Sequence, residues 1–318
     1  MRAVVYESYG LDALEVQDVA KPAITEDEVL VHVRAASLNP ADWYTMKGQF
    51  MARTTNGLRK PKNNRLGTDL AGTVEAIGAN VKQFRPGDDV FGARTGAFAE
   101  YVTVPEDRAL VLKPANVTFE EAAGVAIAGV TALQGLRDKA QVQPGQKVLV
   151  NGASGGVGTF AVQIAKSLGA EVTAVCSTRN VDIVRSLGAD HVVDYTREDF
   201  TRTDERYDAI FDVAGNRSWS DCRRVLKPHA TFVIVGAPKS HPLRHVAKML
   251  IAGRLRGSQK TVFFVAKIRK ADLDVLRKLL ESGQVKPVVD RVYELSDIAD
   301  AYRYLADGHA QGKVVVTA

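Results

Sequence analysis

Eight residues, Asn151-Gly152-Ala153-Ser154-Gly155-Gly156-Val157-Gly158, carry the densest chemistry in the chain. They stand between an apolar run, KVLV, and a helical pattern, VGTFAVQIAK. Gly152, Gly155 and Gly158 recur at every third position. In a strand-to-helix turn such glycines allow a tight bend and a close backbone approach to a ligand. The start of the helix then offers unpaired N–H groups and a positive dipole end to a pyrophosphate. The spacing, with a strand before it and a helix after it, predicts dinucleotide binding. The same letters admit a second chemistry, because Gly152-Ala153-Ser154-Gly155-Gly156 also matches the nucleophile elbow G-x-S-x-G of serine hydrolases. That reading needs a later Asp and His, for which Asp212 with His229 or His241 can be nominated, and it leaves Gly158 without a purpose. A third reading gives the glycines no task beyond the bend.

Which dinucleotide is read from the end of the next strand, EVTAVCS. Binders of NAD place an acid about 20 residues on, where it holds the ribose 2′-hydroxyl. Here that place holds Cys176-Ser177-Thr178-Arg179-Asn180, without an acid. Ser177 and Thr178 can donate hydrogen bonds and Arg179 can pair with a 2′-phosphate, so NADPH is the expected cofactor. The plainer alternative is that Arg179 is a solvated loop cation.

The elements that must position these residues come in two styles. Residues 1 to about 120 hold short alternating runs broken by Gly and Pro, as in Val29, Val31, Val33 and Ala35 on one face with Leu30, His32 and Arg34 on the other. That suits a mostly antiparallel β domain. Near residue 118 the pattern changes: Thr118 and Glu121 form a capping box ahead of the helical run AAGVAIAGVTALQGL. From Lys147 onward apolar strands alternate with amphipathic helices, with Gly169 just past the helix that follows the glycine turn, which argues for a parallel sheet covered on both faces. A helix near 271–282, the run VKPVVDRVYEL, the helix SDIADAYRYLAD and a last strand KVVVTA complete the chain.

With 318 residues, the chain is long enough for about two domains. It is 46% apolar and 25% charged, which excludes a disordered or collagen-like protein. No apolar stretch approaches the roughly 20 residues of a membrane span. Forty-two basic against 37 acidic side chains leave +5, enough to favour an anionic ligand and too little to demand nucleic acid. Two distant cysteines, Cys176 and Cys222, make neither a disulfide framework nor a CxxC site. With no secretory signal visible in MRAVVYESYG, a reducing, cytoplasmic setting is expected.

Taken together, SLNPADWY (37–44), GTDLAGTVEAIG (67–78), FRPGDDVFG (84–92), AGVTAL (128–133), NGASGGVGTFAVQIAK (151–166), GADHVVDY (188–195) and QGKVVV (311–316) resemble zinc-independent medium-chain dehydrogenases/reductases of the quinone oxidoreductase or alkenal reductase type, over essentially the full length. The resemblance implies an α/β protein: a Rossmann doubly wound parallel sheet over 122–263, and a GroES-like, mostly antiparallel catalytic domain built from 1–121 and 264–318, with the active site in the cleft between them. It implies that Asn39, Tyr44 and Thr131 face the nicotinamide and substrate, and that Gly155, Gly156 and Val157 cradle the pyrophosphate. Ser177, Arg179 and Tyr195 would surround the 2′-phosphate, while Val235-Gly236-Ala237 and a strand Phe263-Phe264-Val265 would run along the nicotinamide. Trp43 competes with Tyr44 as the pocket ring, and either can be ordinary core. The zinc alcohol dehydrogenases need a Cys and a His where this chain has Asn39 and Thr68; Asp69 alone cannot build a tetrahedral zinc site, and the six histidines show no ligand spacing, so no metal is expected.

Without a Lewis acid, the expected acceptor is one that spreads charge by itself: a quinone or an α,β-unsaturated carbonyl, reduced by hydride from NADPH. A zinc-free alcohol or aldehyde oxidoreductase and an enoyl-thioester reductase are alternatives within the class. An NADPH-sensing nucleic-acid-binding protein is the alternative outside it, although no RNA-binding signature is present. Two basic stretches stay open. RTTNGLRKPKNNR (53–65) reads as a mobile loop or a gate; HPLRHVAKMLIAGRLRGSQK (241–260), with Val246, Leu250 and Ile251 in an apolar stripe, reads as a solvated helix or a peripheral contact with an anionic membrane. Thr261–Val265 is a plausible edge for a homodimer.

Overall fold

Alternating apolar residues build the N-terminal strands, and the computed structural model places them as follows for residues 1–238, 242–255 and 258–318. The chain begins with β1 (Arg2–Tyr6) and β2 (Leu14–Asp18), an antiparallel pair, followed by β3 (Glu28–Ser37), α1 (Pro40–Met46), α2 (Phe50–Asn56), β4 (Asp69–Ile77), β5 (Asp89–Ala93), β6 (Tyr101–Pro105), β7 (Leu110–Leu112) and α3 (Phe119–Ala123). Strand β3 pairs with both β4 and β6. The β3–β4 register shifts between Leu30 and Val31, a bulge that lets successive residues turn inward; Leu30 is therefore buried although the alternation put it on the outer face. Thr118 and Glu121 cap α3 reciprocally, as the sequence predicts.

The next block holds α4 (Ala126–Leu133), a π-helical turn over Gln134–Ala140, β8 (Lys147–Asn151), α5 (Gly156–Ser167), β9 (Glu171–Cys176), α6 (Val181–Ser186), β10 (His191–Asp194), β11 (Tyr207–Asp212), α7 (Trp219–Arg224), β12 (Leu226–Ile234), α8 (Pro242–Leu255) and β13 (Lys260–Phe263). The expected single helix over AAGVAIAGVTALQGL is thus broken after Ala123 and again widens at Gln134. Its strands form one six-stranded parallel sheet in the order β10-β9-β8-β11-β12-β13, the doubly wound arrangement whose order reverses between β8 and β11. Phe160, Ile210, Phe211 and Phe232 are fully buried in this unit.

Last come α9 (Lys270–Glu281), β14 (Val289–Glu294), α10 (Ile298–Asp307) and β15 (Lys313–Thr317). β15 runs antiparallel to β3 and parallel to β14, completing a mostly antiparallel sheet of seven strands. Val31, Leu70, Phe98 and Tyr302 form its core. Met1–Ile127, Ile268–Gly283 and Pro287–Ala318 make one compact unit, and Ala128–Lys267 with Gln284–Lys286 make the second. Among the described residues no helix is long and apolar enough to cross a membrane.

Candidate functional site

The three glycines of the parallel-sheet unit do three different things. Gly152 bends the chain at φ +87°, in the left-handed region that favours glycine. A Cβ at Gly158 would collide with the Gly152 carbonyl, so its bare Cα is what lets α5 pack onto the turn. At Gly155 a Cβ would meet only the Gly152 oxygen, 3.7 Å away, and otherwise open space. That is room for a ligand rather than for a neighbour. Gly155 is the N-cap of α5 and supplies no side chain to the first turn, which carries no acid, so the N–H groups of Gly156 and Val157 remain for an anion. The turn fits a pyrophosphate.

One row of backbone pairings, Val193–Val175, Val175–Asn151, Asn151–Asp212, Asp212–Ile234 and Ile234–Phe263, crosses the whole sheet. The predicted residues Gly155, Ser177, Arg179, Tyr195, Val235 and Gly236 all follow directly on that row. They therefore gather at the carboxyl ends of the strands, where doubly wound sheets bind ligands. Tyr195 donates its backbone N–H to the Cys176 carbonyl, 3.0 Å, and is half-exposed just past the end of β10, the strand paired with β9. Arg179 is exposed on a single 3-10 turn, Thr178–Asn180. Val235 and Gly236 donate to the Asp212 carbonyl, 2.9 and 3.0 Å. Phe263 ends β13, and Phe264 and Val265 lie beyond the strand rather than in it, with Val265 76% exposed. Thr131 sits on α4 one turn before Gln134, whose side chain donates to the Lys267 carbonyl, 2.7 Å.

Sequence reasoning missed the struts. Asn180, 4% exposed, donates to Ser154 Oγ at 2.8 Å and to Ser177 Oγ at 3.2 Å, tying the ribose-end loop to the glycine turn. Asn151 donates to Asp212 Oδ1 at 2.8 Å and to Asn216 Oδ1 at 3.0 Å. Burial raises the Asp212 carboxyl to about 6, and its Oδ2 has no partner. Asp194, the acid nearest the ribose end, is taken up by Thr178 at 2.6 Å and Thr196, which hold its carboxyl below the usual range. Among the described residues the hydrolase constellation does not assemble: Ser154 accepts from Asn180, while His229 lies near the amino end of β12, opposite the turn. His241 is outside the described residues.

The antiparallel unit holds a different kind of cluster. Asp69 is fully buried; its Oδ1 accepts from the Ile127 N–H at 2.9 Å, and its Oδ2 accepts from Ser37 Oγ at 3.0 Å, Asn39 Nδ2 at 3.0 Å and the Lys313 ammonium at 3.4 Å. Lys313 also donates to Asn39 Oδ1, 2.6 Å, and to the Leu38 carbonyl, 3.1 Å. Both amide N–H groups of Asn39 are thus taken, the second by the Ser37 carbonyl at 3.4 Å. Asp42 accepts from the Asn39 N–H, 3.1 Å, and from Thr68 Oγ1, 3.1 Å, which fixes the first turn of α1. Burial first, and then the Asp69 charge, push the Asp42 carboxyl to about 7; burial pulls Lys313 below the usual amine range. On the same helix Trp43 packs on the buried Tyr302, ring centroids 5.9 Å apart, whereas Tyr44 is half-exposed. Arg53, in the first basic stretch, is fastened to the carbonyls of Gly48 and Leu58, both 2.7 Å, rather than free.

Residues 25–115 match the family model of the alcohol dehydrogenase GroES-like domain, and residues 187–316 match that of the zinc-binding dehydrogenases. The second match implies zinc, and the residues do not fit it. Zinc takes thiolate, imidazole and carboxylate in a tetrahedral set; around Asp69 stand a hydroxyl, an amide, a backbone N–H and an ammonium. Among the described residues no three His, Cys, Asp or Glu side chains group as a metal would need. The chain is 36% identical to the NADPH-dependent alkenal/one oxidoreductase, chloroplastic, of Arabidopsis thaliana, over 99% of its own length and 79% of that protein. It is 34% identical to the quinone-oxidoreductase QR1, chloroplastic, of Triphysaria versicolor, covering 99% and 98%. The solved structure of the quinone oxidoreductase from Coxiella burnetii superposes with a TM-score of 0.86 at 28% identity, covering 100% of this chain and 99% of that one. With a doubly wound sheet, a GroES-like unit and relatives matched from end to end, the chain belongs to the medium-chain dehydrogenase/reductase family, in its quinone oxidoreductase and alkenal reductase branch.

Proposed function

We propose that the protein is an NADPH-dependent oxidoreductase that reduces a quinone or an α,β-unsaturated carbonyl without a metal. The observation that carries this reading is the edge of the parallel sheet: an anion-ready glycine turn, followed at the next strand end by hydroxyls and a guanidinium instead of the acid that NAD binders use. Ser177, Arg179 and Tyr195 hold the 2′-phosphate, Gly155, Gly156 and Val157 the pyrophosphate, and Thr131 with Val235, Gly236, Phe263 and Val265 orient the nicotinamide. When bound, reduced nicotinamide supplies hydride; the protein supplies orientation and exclusion of water. In an enone, hydride reaches the β-carbon and charge moves to oxygen as an enolate, which needs hydrogen-bond donors more than a Lewis acid. Tyr44, half-exposed at α1, or solvent returns the proton. Asn39, with its donors committed to Asp69 and Ser37, is a positioning residue that holds the start of α1 and so the place of Tyr44.

Two buried free cysteines, Cys176 and Cys222, suit a reducing, cytoplasmic compartment. The exposed edge β13 suits a homodimer formed strand to strand, tested by sedimentation. The functional test is absorbance-monitored consumption of NADPH and NADH, side by side, with a naphthoquinone and a short alkenal. NADPH is expected to be used at least about tenfold more efficiently, the size of one lost charge-assisted contact. Equal use of NADH overturns the roles given to Ser177, Arg179 and Tyr195.

A further inference from the structure

The second basic stretch contributes to a cavity of about 420 Å³ that lies wholly within the parallel-sheet unit, between the loop after β11, α7 and α8. That volume is in the range of organic-ligand pockets and well beyond a single ion. Its walls are apolar in part, from Pro238, Met249 and Ala252. The lining also carries nitrogen-bearing side chains, among them Arg217, Trp219, His245 and Lys248. Three of these carry nitrogens that are covered from solvent and have no hydrogen-bond partner, namely Arg217 Nε, Trp219 Nε1 and His245 Nε2. Trp219 is 4% exposed, and its ring is locked edge-on against Phe232, centroids 5.7 Å apart at 86°. An indole N–H is donor-only, and leaving a buried donor unpaired costs on the order of 1–3 kcal/mol. Two such donors, Arg217 Nε and Trp219 Nε1, on side chains that line one cavity point to an acceptor as its occupant.

The charge around the cavity sets the kind of acceptor. Lys248 adds a cation, and Arg217 reaches a single acid, Asp199, at 3.5 Å through its Nη2 and not through Nε. Burial and the neighbouring Lys248 ammonium hold the His245 imidazole below its usual value, a strain that a bound anion would relieve. Asn216, another lining residue, accepts from Asn151, so the cavity adjoins the first residue of the glycine turn.

We infer that this cavity binds a small organic carboxylate, with its apolar body against Met249 and Ala252 and its carboxylate against Trp219 Nε1, Arg217 Nε and Lys248. The inference stands apart from the proposed reduction, because the site lies beside the nucleotide turn and needs no turnover.

Isothermal calorimetry with 3-phenylpropionate, which has no double bond to reduce, tests it on the full chain saturated with NADPH. The acid is expected to bind, and 3-phenylpropanol about tenfold or more weakly. Lys248→Glu, at an exposed side chain, should weaken the acid about tenfold, and Trp219→Phe, which keeps a ring and removes the N–H, about fivefold. Unchanged thermal midpoints would show that both variants fold. Equal binding of acid and alcohol, unchanged affinity in both variants, or loss of binding when NADPH is present would each overturn the inference. So would inorganic phosphate binding as tightly as the acid, or Lys248→Glu abolishing attachment to phosphatidylglycerol vesicles while the acid binds neither protein. NADPH oxidation measured separately distinguishes failure here from failure of the reductase reading.

Discussion

The two polar centres of this protein differ in what they leave undone. At the glycine turn the first-turn N–H groups of α5 have no side-chain cap, and the struts Asn151 and Asn180 hold the turn and the loop after β9 in place. Around Asp69 the reverse holds: five donors and acceptors from β3, β4, α1 and β15 close upon one another in a region that is almost entirely buried. Hydrogen-bonding capacity left unspent at the end of a rigid element is an invitation to a ligand. Capacity spent internally is structure. One family model carries the name of the zinc-binding dehydrogenases, yet Asp69 belongs to the second kind of centre, where the positive charge beside it is the Lys313 ammonium and its other partners are an amide, a hydroxyl and a backbone N–H.

That contrast can be broken most severely at Lys313. Replacing it with Met leaves Asp69 charged and buried with its ammonium gone, which should cost about 3–5 kcal/mol in denaturant unfolding. Unchanged stability would mean that the closed centre is not held by its charges.

Within the open centre, Gly158→Ala and Gly155→Ala should separate packing from binding. The first pushes a methyl into the Gly152 carbonyl and should weaken NADPH about 100-fold while lowering the thermal midpoint; the second should weaken NADPH about tenfold with the midpoint unchanged. Equal loss of stability in both would erase the distinction drawn between the two glycines.

Arg179→Gln is smaller in reach. It should raise the NADPH dissociation constant about tenfold and leave NADH alone, as measured by fluorescence titration.

The smallest effect is electrostatic. The Asp42 carboxyl is raised from about 4 to about 7, so between those values the folded protein keeps a proton that the unfolded chain has released, and stability falls as pH rises through that window. Asp42→Asn should flatten the fall of the thermal midpoint between pH 5 and 8. A slope equal to that of the parent would assign it to another group.

The open centre was legible in the sequence because its logic is local. Three glycines, the strand before and the helix after them, and the acid-free stretch 177–180 all lie within 30 consecutive residues or so, a span over which pattern reading works well. The parallel sheet followed from the same alternation. What the sequence concealed was built over distance. Lys313 meets Asp69 only because β15 returns to pair with β3, and no periodicity reports a contact across 244 residues. Leu30 turned inward through a bulge, and the helix after Thr118 broke and widened into a π turn at Gln134, where Gly135 lies directly against Phe211. Both are tertiary overrides of a local pattern. The strand at Phe263 stopped one residue before Phe264 because β12, its neighbour among the described strands, ends at Ile234.

The claim at the centre of this account is hydride transfer from NADPH without metal. It is tested most directly by giving 4-deuterated NADPH and a short alkenal to protein stripped of metal by a chelator, with metal content measured by mass spectrometry. The account predicts undiminished turnover and deuterium on the β-carbon of the saturated product. Activity that vanishes on stripping and returns in proportion to added zinc would contradict it.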